Sequence, residues 1–147
     1  MYKRILVATD GSPLSKKAVN HAIDLAASTG ADLVAFKVVP RYPTSYLEGA
    51  VTFSADDIAR VEKKWADEAH ALLDGVCAQA AGQGVKARGA TVKSDRVAES
   101  VIAAARKHKA GLIVMASHGR KGIQRLLLGS ETQHVLTHSS VPVLVLR

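Results

Sequence analysis

"KRILVATDGSPLSKKAVNHAIDLAASTGADLVAFKVV", Lys3 to Val39, decides the fold. It opens on a short apolar run, Lys3 to Thr9, of the length of a buried strand. "DGSP" punctuates that run. Ser12 suits a helix cap, and Pro13 suits the first helical position, where its missing N–H would have no partner anyway. The helix predicted from Pro13 to Thr29 carries Leu14, Ala18, Ala22, Leu25 and Ala26 on one face, and Gly30 stops it. A second apolar run, Ala31 to Val39, ends at Pro40.

Working outward, the pattern fails from Arg41 to Ser54, a segment with Pro43, Gly49 and two tyrosines. A loop of that length is unusual in a compact domain and marks a functional or mobile segment. A long helix starts at Ser54 or Asp56. Ile58, Val61, Trp65, Ala69, Leu72, Leu73 and Val76 recur at helical spacing, and Gly82 and Gly84 end it. Trp65 is read as core rather than as a stacking platform. Val85 to Val92 alternates weakly, as a third strand near a sheet edge. Ser94 or Asp95 caps a third helix, Arg96 to Lys109. Ala110 to Ala116 is a buried strand, Ser130 begins a fourth helix through about Ser139, and Val141 to Leu146 is the last strand.

Strand and helix thus alternate from end to end, which predicts a doubly wound α/β domain: a five-stranded parallel sheet with helices on both faces. Right-handed crossovers leave few strand orders. In the order 3-2-1-4-5 the winding reverses between strands one and four, and ligands bind beyond the carboxyl ends of strands at such a reversal. The segments lining it are "ATDGS" (Ala8 to Ser12) and "ASHGRKG" (Ala116 to Gly122).

Composition sets the bounds. The 147 residues suit a single domain spanning 1–147. With 48% hydrophobic but only 4% aromatic residues, the core must be built from Ala, Val, Ile and Leu. Cys77 is the only cysteine, so no internal disulfide forms, and it reads as a buried, inert thiol. No stretch reaches the roughly 18 apolar residues of a membrane span. The amino-terminal apolar run is too short for a signal peptide, so the cytoplasm is expected. The net charge of +7 raises nucleic acid as a partner. Basic residues are spread along the chain, however, tightest at Arg106 to Lys109 and Gly119 to Gly122. No aromatics interleave with them, and nucleic acid is not expected.

The crevice chemistry centres on "MASHGRKGIQRLLLGSETQHVL", Met115 to Leu136. A phosphate site needs backbone N–H groups, a helix N-terminus and no side chains in the way. Gly119 and Gly122 permit close approach, and Gly129 and Ser130 stand at a helix start. "SETQ" is equally a capping box, which alone would explain Ser130. Spacing does not separate the two readings. No P-loop pattern and no GxGxxG are present. Asp10 ends the first strand, where its carboxylate suits a ribose hydroxyl or a cation near phosphates, or else an Asx turn in "TDGS". His118 is read as a loop histidine with no acid nearby to orient it. Arg120, Lys121 and Arg125 read as surface charges that also suit phosphate. The six histidines show no metal spacing, since His134 and His138 lack a third ligand. A Ser130–His118–Asp10 catalytic set has no oxyanion hole in sequence, and no catalytic residue is assigned.

Three blocks, "KRILVATDGSPLSKKAVNHAIDLA", "GLIVMASHGRKG" and "LLLGSETQHVLTHSSVPVLVLR", together resemble the universal stress protein family over essentially the whole chain. The resemblance implies the sheet order 3-2-1-4-5 in a three-layer fold like that of the adenine nucleotide alpha hydrolases, and a homodimer. The family's nucleotide-binding branch carries G-x2-G-x9-G-[ST]. Gly119 is the second glycine, "RKGIQRLLL" the nine spacers, and Gly129 and Ser130 the end; Gly122 falls outside it. Ala116 stands at the first glycine, where a methyl group obstructs if positive φ or closest approach is required. Implied contacts to ATP or another adenine nucleotide are Ala8, Thr9 and Asp10, Val38 at the adenine, and Met115, Ala116, Ser117, His118 and Gly119. Gly129, Ser130, Glu131 and Thr132 complete them, and Asp10 is also implied as the Mg2+ residue. The Glu131 carboxylate would repel phosphate unless it turns outward. The last strand, Val141 to Leu146, is the implied dimer edge. The leading expectation is an ATP-binding stress-response protein with an unknown protein partner. The alternatives are a nucleotide-free dimeric interaction protein and a slow nucleotide hydrolase.

Overall fold

The structure is a computed structural model and describes residues 2–43, 54–119 and 128–147. Most of the predicted loop after the second strand, together with Arg120, Lys121, Gly122 and Arg125, lies outside the described residues. In chain order the elements are β1 (Arg4–Ala8), α1 (Pro13–Thr29), β2 (Asp32–Val39), α2 (Ala55–Gly82) and β3 (Ala87–Lys93). They continue as α3 (Val97–Lys107), β4 (Leu112–Ala116), α4 (Ser130–His138) and β5 (Val143–Leu146). The sheet order is β3-β2-β1-β4-β5, and every neighbouring pair is parallel. The expected fold class is therefore the observed one.

Parallel strands need helical crossovers, and the helices cover both faces. Odd-numbered β1 residues Ile5 and Val7 pack with Leu33, Val114 and the α1 and α2 residues Val19, Ile23, Leu73 and Val76. Even-numbered Leu6 packs on the other face with Phe36, Ile113, Val101 and Val135. The two-residue period of a strand distributes the apolar run between two cores. No helix among the described residues is long and apolar enough to cross a membrane.

Local signals fixed α1. Ser12 caps it by accepting from Ser15 N–H, Pro13 occupies its first turn, and Gly30 ends it at φ 73°. Its buried stripe runs through Val19 and Ile23, however, with Leu14 and Leu25 at the half-buried flanks. α2 begins after the Ser54 cap. It is buried only from Ala69 onward, so Trp65 is half-buried rather than core. The indole stacks on Tyr42, with ring centroids 6.2 Å apart and planes 18° apart. Cys77 is likewise half-buried. Burial and the Asp74 carboxylate push its thiol above the ordinary value of 9.0, so thiolate is scarce near neutral pH and the group is inert. β3, β4 and β5 each start two residues later than the sequence suggests.

The caps of α3 and α4 depart from expectation. Neither Ser94 nor Asp95 caps α3: its N-cap is Arg96, which makes no side-chain cap hydrogen bond. Ser94 Oγ instead accepts from Arg96 N–H at 3.0 Å, and Asp95 Oδ1 accepts from Arg41 N–H at 3.3 Å. The free end of α3 is satisfied from another element, because Glu131 Oε2 of α4 accepts from Ala98 N–H at 2.7 Å. In α4, Gly129 is the N-cap and Ser130 the first helical residue, so the capping box does not form. Gln133 donates from Nε2 to Leu128 O at 3.0 Å instead.

Replacing Glu131 with alanine removes a carboxylate from a helix N-terminus. We expect a loss of about 1 kcal/mol, read in urea unfolding as a lower midpoint at unchanged slope. An unchanged midpoint would show that this contact carries no stability.

Candidate functional site

β1 ends at Ala8, and the next four residues form a tight turn into α1. Gly11 makes it possible by adopting φ 80°, a conformation that costs residues with a Cβ. The turn is held from within. Asp10 Oδ1 accepts from Ser12 N–H at 2.9 Å, an Asx turn as the "TDGS" reading allowed. Thr9 Oγ1 accepts from Gly11 N–H at 3.2 Å and lies 3.0 Å from Ser15 Oγ, which donates to Ser12 O at 2.9 Å. Thr9, Ser12 and Ser15 are all buried, so these bonds exchange in low dielectric and stiffen the turn.

The opposite wall follows β4. Ser117 N–H donates to Leu146 O at 2.7 Å, and Ser117 O accepts from Gly129 N–H at 2.8 Å. The start of α4 is thereby fastened to the end of β4. Gly129 sits so close that a Cβ there would stand 3.3 Å from Ser117 O and 3.4 Å from His118 Cα. Gly119 comes closer still: its Cβ would lie 2.6 Å from Asp10 Oδ2. A side chain at either motif glycine would crowd the crevice wall, the Asp10 carboxylate at Gly119 and the Ser117 carbonyl at Gly129.

Between the walls lies a cleft of about 440 Å³, lined by Gly11, Ser12, Pro13, Leu14, His118 and Gly119. It stands where β1 and β4 separate, at the reversal of winding. The first turn of α1 lines this cleft, and the α4 N-terminus abuts His118 in its wall. Each helix N-terminus carries partial positive charge and unbonded N–H groups, which favour an anion. α1 has no acidic residue in its first turn. The one in α4, Glu131, is turned away to α3. Ser130, relieved of capping, makes no side-chain hydrogen bond among the described residues.

β2 outruns β1. The last rung pairs Ala8 with Phe36, and Thr9 N–H donates to Phe36 O at 3.0 Å. Backbone groups alternate sides along a strand. Val39 O accepts from Ser94 N–H, on the β3 side. Val38 therefore directs its N–H and C=O to the side where β1 has already ended.

The expected site residues fall into groups. His118 and Gly119 line the cleft, Asp10 lies against Gly119 and Gly129 against His118, and Ser130 follows Gly129 as the first residue of α4. Ala8, Thr9, Met115, Ala116, Ser117 and Thr132 support it from beneath. Met115 belongs to the core on the α3 and α4 face, and Thr132, 2% exposed, donates from Oγ1 to Ala116 O at 3.0 Å. Ala116 is 7% exposed. Among described non-glycine residues only Lys109 has positive φ, so Ala116 has none and the conformational objection to alanine disappears. Pro13 and Leu14 line the cleft although the sequence placed Leu14 on the buried helix face; their signal is position, directly after a cap at a strand end. The Ser130–His118–Asp10 relay is not assembled. His118 Nδ1 lies 3.3 Å from Ser117 Oγ, and no carboxylate orients the ring among the described residues.

Fold and cleft together define a doubly wound α/β domain with an anion-favouring crevice at its switch point. The profile of the universal stress protein family matches residues 1–147, and the chain belongs to that family. A universal stress protein of Methanocaldococcus jannaschii is 34% identical over 147 residues, covering all of this chain and 83% of its own. The universal stress protein UspA from Lactobacillus plantarum superposes with a TM-score of 0.84 at 23% identity, over 99% of this chain and 98% of that one, which speaks for the fold. A universal stress protein solved in complex with cAMP superposes at 0.71 with 28% identity, over 99% and 97% of the two chains.

Gly119→Ala should push the Asp10 carboxylate out of its turn and cost about 1 kcal/mol, the worth of one hydrogen bond. Asp10→Ala should cost a similar amount, and the double variant no more than Asp10→Ala alone. Additive costs in the double-mutant cycle would show that the two residues do not meet.

Proposed function

We propose that this protein binds an adenine nucleotide, ATP first, across the carboxyl ends of β1 and β4, and acts in the cytoplasm as a nucleotide-dependent regulator in the stress response. The single observation that carries the reading is the junction of Asp10, Gly119 and Gly129 at the α1 and α4 N-termini. Gly119 and Ser130 hold phosphates there by backbone N–H and hydroxyl donation, while Gly129, whose own N–H is bonded to Ser117 O, brings the α4 N-terminus close. Asp10 accepts from the ribose or holds Mg2+, and the Val38 backbone pairs with the adenine edge. The related protein crystallised with cAMP supports an adenine nucleotide as the class of ligand.

Mg2+ fits this arrangement. The ion keeps several waters and takes one or two carboxylates beside the phosphate oxygens. Asp10 supplies the one carboxylate, and no cluster of three or more His, Cys, Asp or Glu exists among the described residues. When bound, the ion neutralises phosphate charge. In this reading the nucleotide serves as a ligand.

The chain also forms a homodimer through β5 in this reading. β5 is an edge strand of sequence "VLVL", paired only with β4 among the described residues. An uncharged apolar edge invites pairing with another chain. An unidentified protein partner then reads the nucleotide state.

Calorimetric titration of ~100 μM protein with ATP and Mg2+ should give saturable heat, with micromolar affinity corresponding to about −8 kcal/mol. Absence of heat, together with no nucleotide released on denaturing the purified protein, overturns the reading and leaves a nucleotide-free dimer. Ala116→Gly should change affinity by less than about threefold, or ~0.7 kcal/mol, because the methyl group lies within the protein. Binding that appears only in Ala116→Gly would show that the parent chain is excluded by that methyl group.

A further inference from the structure

The carboxyl-terminal half of α4 takes no part in the crevice, and it carries two histidines four residues apart, His134 and His138. That spacing places both side chains on one helix face. The rings are in contact: their centroids are 4.3 Å apart and their planes tilted by 34°. His138 Nδ1 lies 3.0 Å from His134 O. A carbonyl oxygen only accepts, so Nδ1 carries the proton. With the proton on Nδ1, the lone pair of the His138 imidazole lies on Nε2. A backbone carbonyl on the far nitrogen is also the outer-shell arrangement that orients a metal-binding imidazole.

The electrostatics favour a cation. His138 is the last residue of α4, where the helix dipole is negative. The one acidic residue in the helix, Glu131, is at its other end and bonded to α3. His134 is half-buried and His138 exposed, so the pair is anchored at one side and open at the other. No third His, Cys, Asp or Glu joins the pair among the described residues.

We propose that His134 and His138 form a two-imidazole surface site for a transition-metal dication, with water completing the coordination. Imidazole nitrogen suits Zn2+, Ni2+ and Cu2+ and does not suit Mg2+ or Ca2+. The site is independent of the nucleotide reading, since it shares no residue with the crevice.

Titration of the full chain with Zn2+ in the absence of nucleotide tests it. One Zn2+ should bind per chain, and Mg2+ should neither bind there nor compete. His138→Ala and His134→Gln should each weaken Zn2+ binding by at least about tenfold, the scale on which metal sites respond to loss of ligand support. His138 is exposed and His134→Gln preserves most of the volume, so neither effect rests on unfolding; far-ultraviolet circular dichroism checks this. His21→Ala and His70→Ala, exposed histidines of α1 and α2, should bind Zn2+ as the parent does. The proposal is overturned by no saturable binding at ~100 μM Zn2+, a concentration ample for a working imidazole pair. It is equally overturned by parent-strength binding in both α4 variants.

Discussion

β1 and β4 are neighbours, and the site depends on that pairing. Ile5, Leu6 and Val7 run beside Leu112, Ile113 and Val114 at the centre of the sheet. The winding reverses across this pair, so the chain leaves β1 toward one face and β4 toward the other. A gap must open between the two departures. Asp10 and Gly119 are the residues that meet across it, and a side chain on Gly119 would collide with the carboxylate. Gly129 meets the same wall from the α4 side. The cleft is thus bordered by close approaches, of Gly119 to the Asp10 carboxylate and of Gly129 to the Ser117 carbonyl.

A second consequence concerns charge. Two helix N-termini near one crevice make it electropositive, and an acidic side chain in either first turn would cancel part of that field. Glu131 occupies such a position by sequence. The fold directs its carboxylate to Ala98 N–H of α3 instead. One residue therefore satisfies a helix that has no cap of its own and leaves the crevice field intact. Asp10 differs: its carboxylate faces Gly119 at the crevice and keeps its charge there while accepting from Ser12 N–H.

What the sequence made legible was local or periodic. α1 was readable because Ser12, Pro13 and Gly30 act within their own turns. The strand order followed from alternation and handedness, and the family resemblance pointed to Gly119 and Gly129. The misreadings have one physical origin: partners distant in sequence. Ser94 and Asp95 have the chemistry of caps, but the group that reaches α3 comes from α4. Ser130 and Gln133 match a capping box, but Gly129 is pulled onto Ser117 O and the helix starts one residue earlier in its backbone geometry. Trp65 sits on the right stripe of α2, a turn ahead of its buried part, and Tyr42 covers it instead of the core. The reason for Gly119 is a distance to Asp10, which no spacing reveals.

The two borders of the sheet are unlike. β3 carries exposed Arg88 and Lys93, the latter paired with Glu62 at 3.4 Å. β5 carries Val143, Leu144, Val145 and Leu146 without a charge. Lysine and arginine on a border discourage strand addition, whereas an uncharged border does not. A molecule with one sticky border has a valence of one. In the proposed dimer, with a two-fold axis along β5, each copy would consume the other's only bond, and both remaining borders would be charged. Such an assembly would terminate by construction, so the strand proposed to make association favourable would also keep it from running on into a fibre.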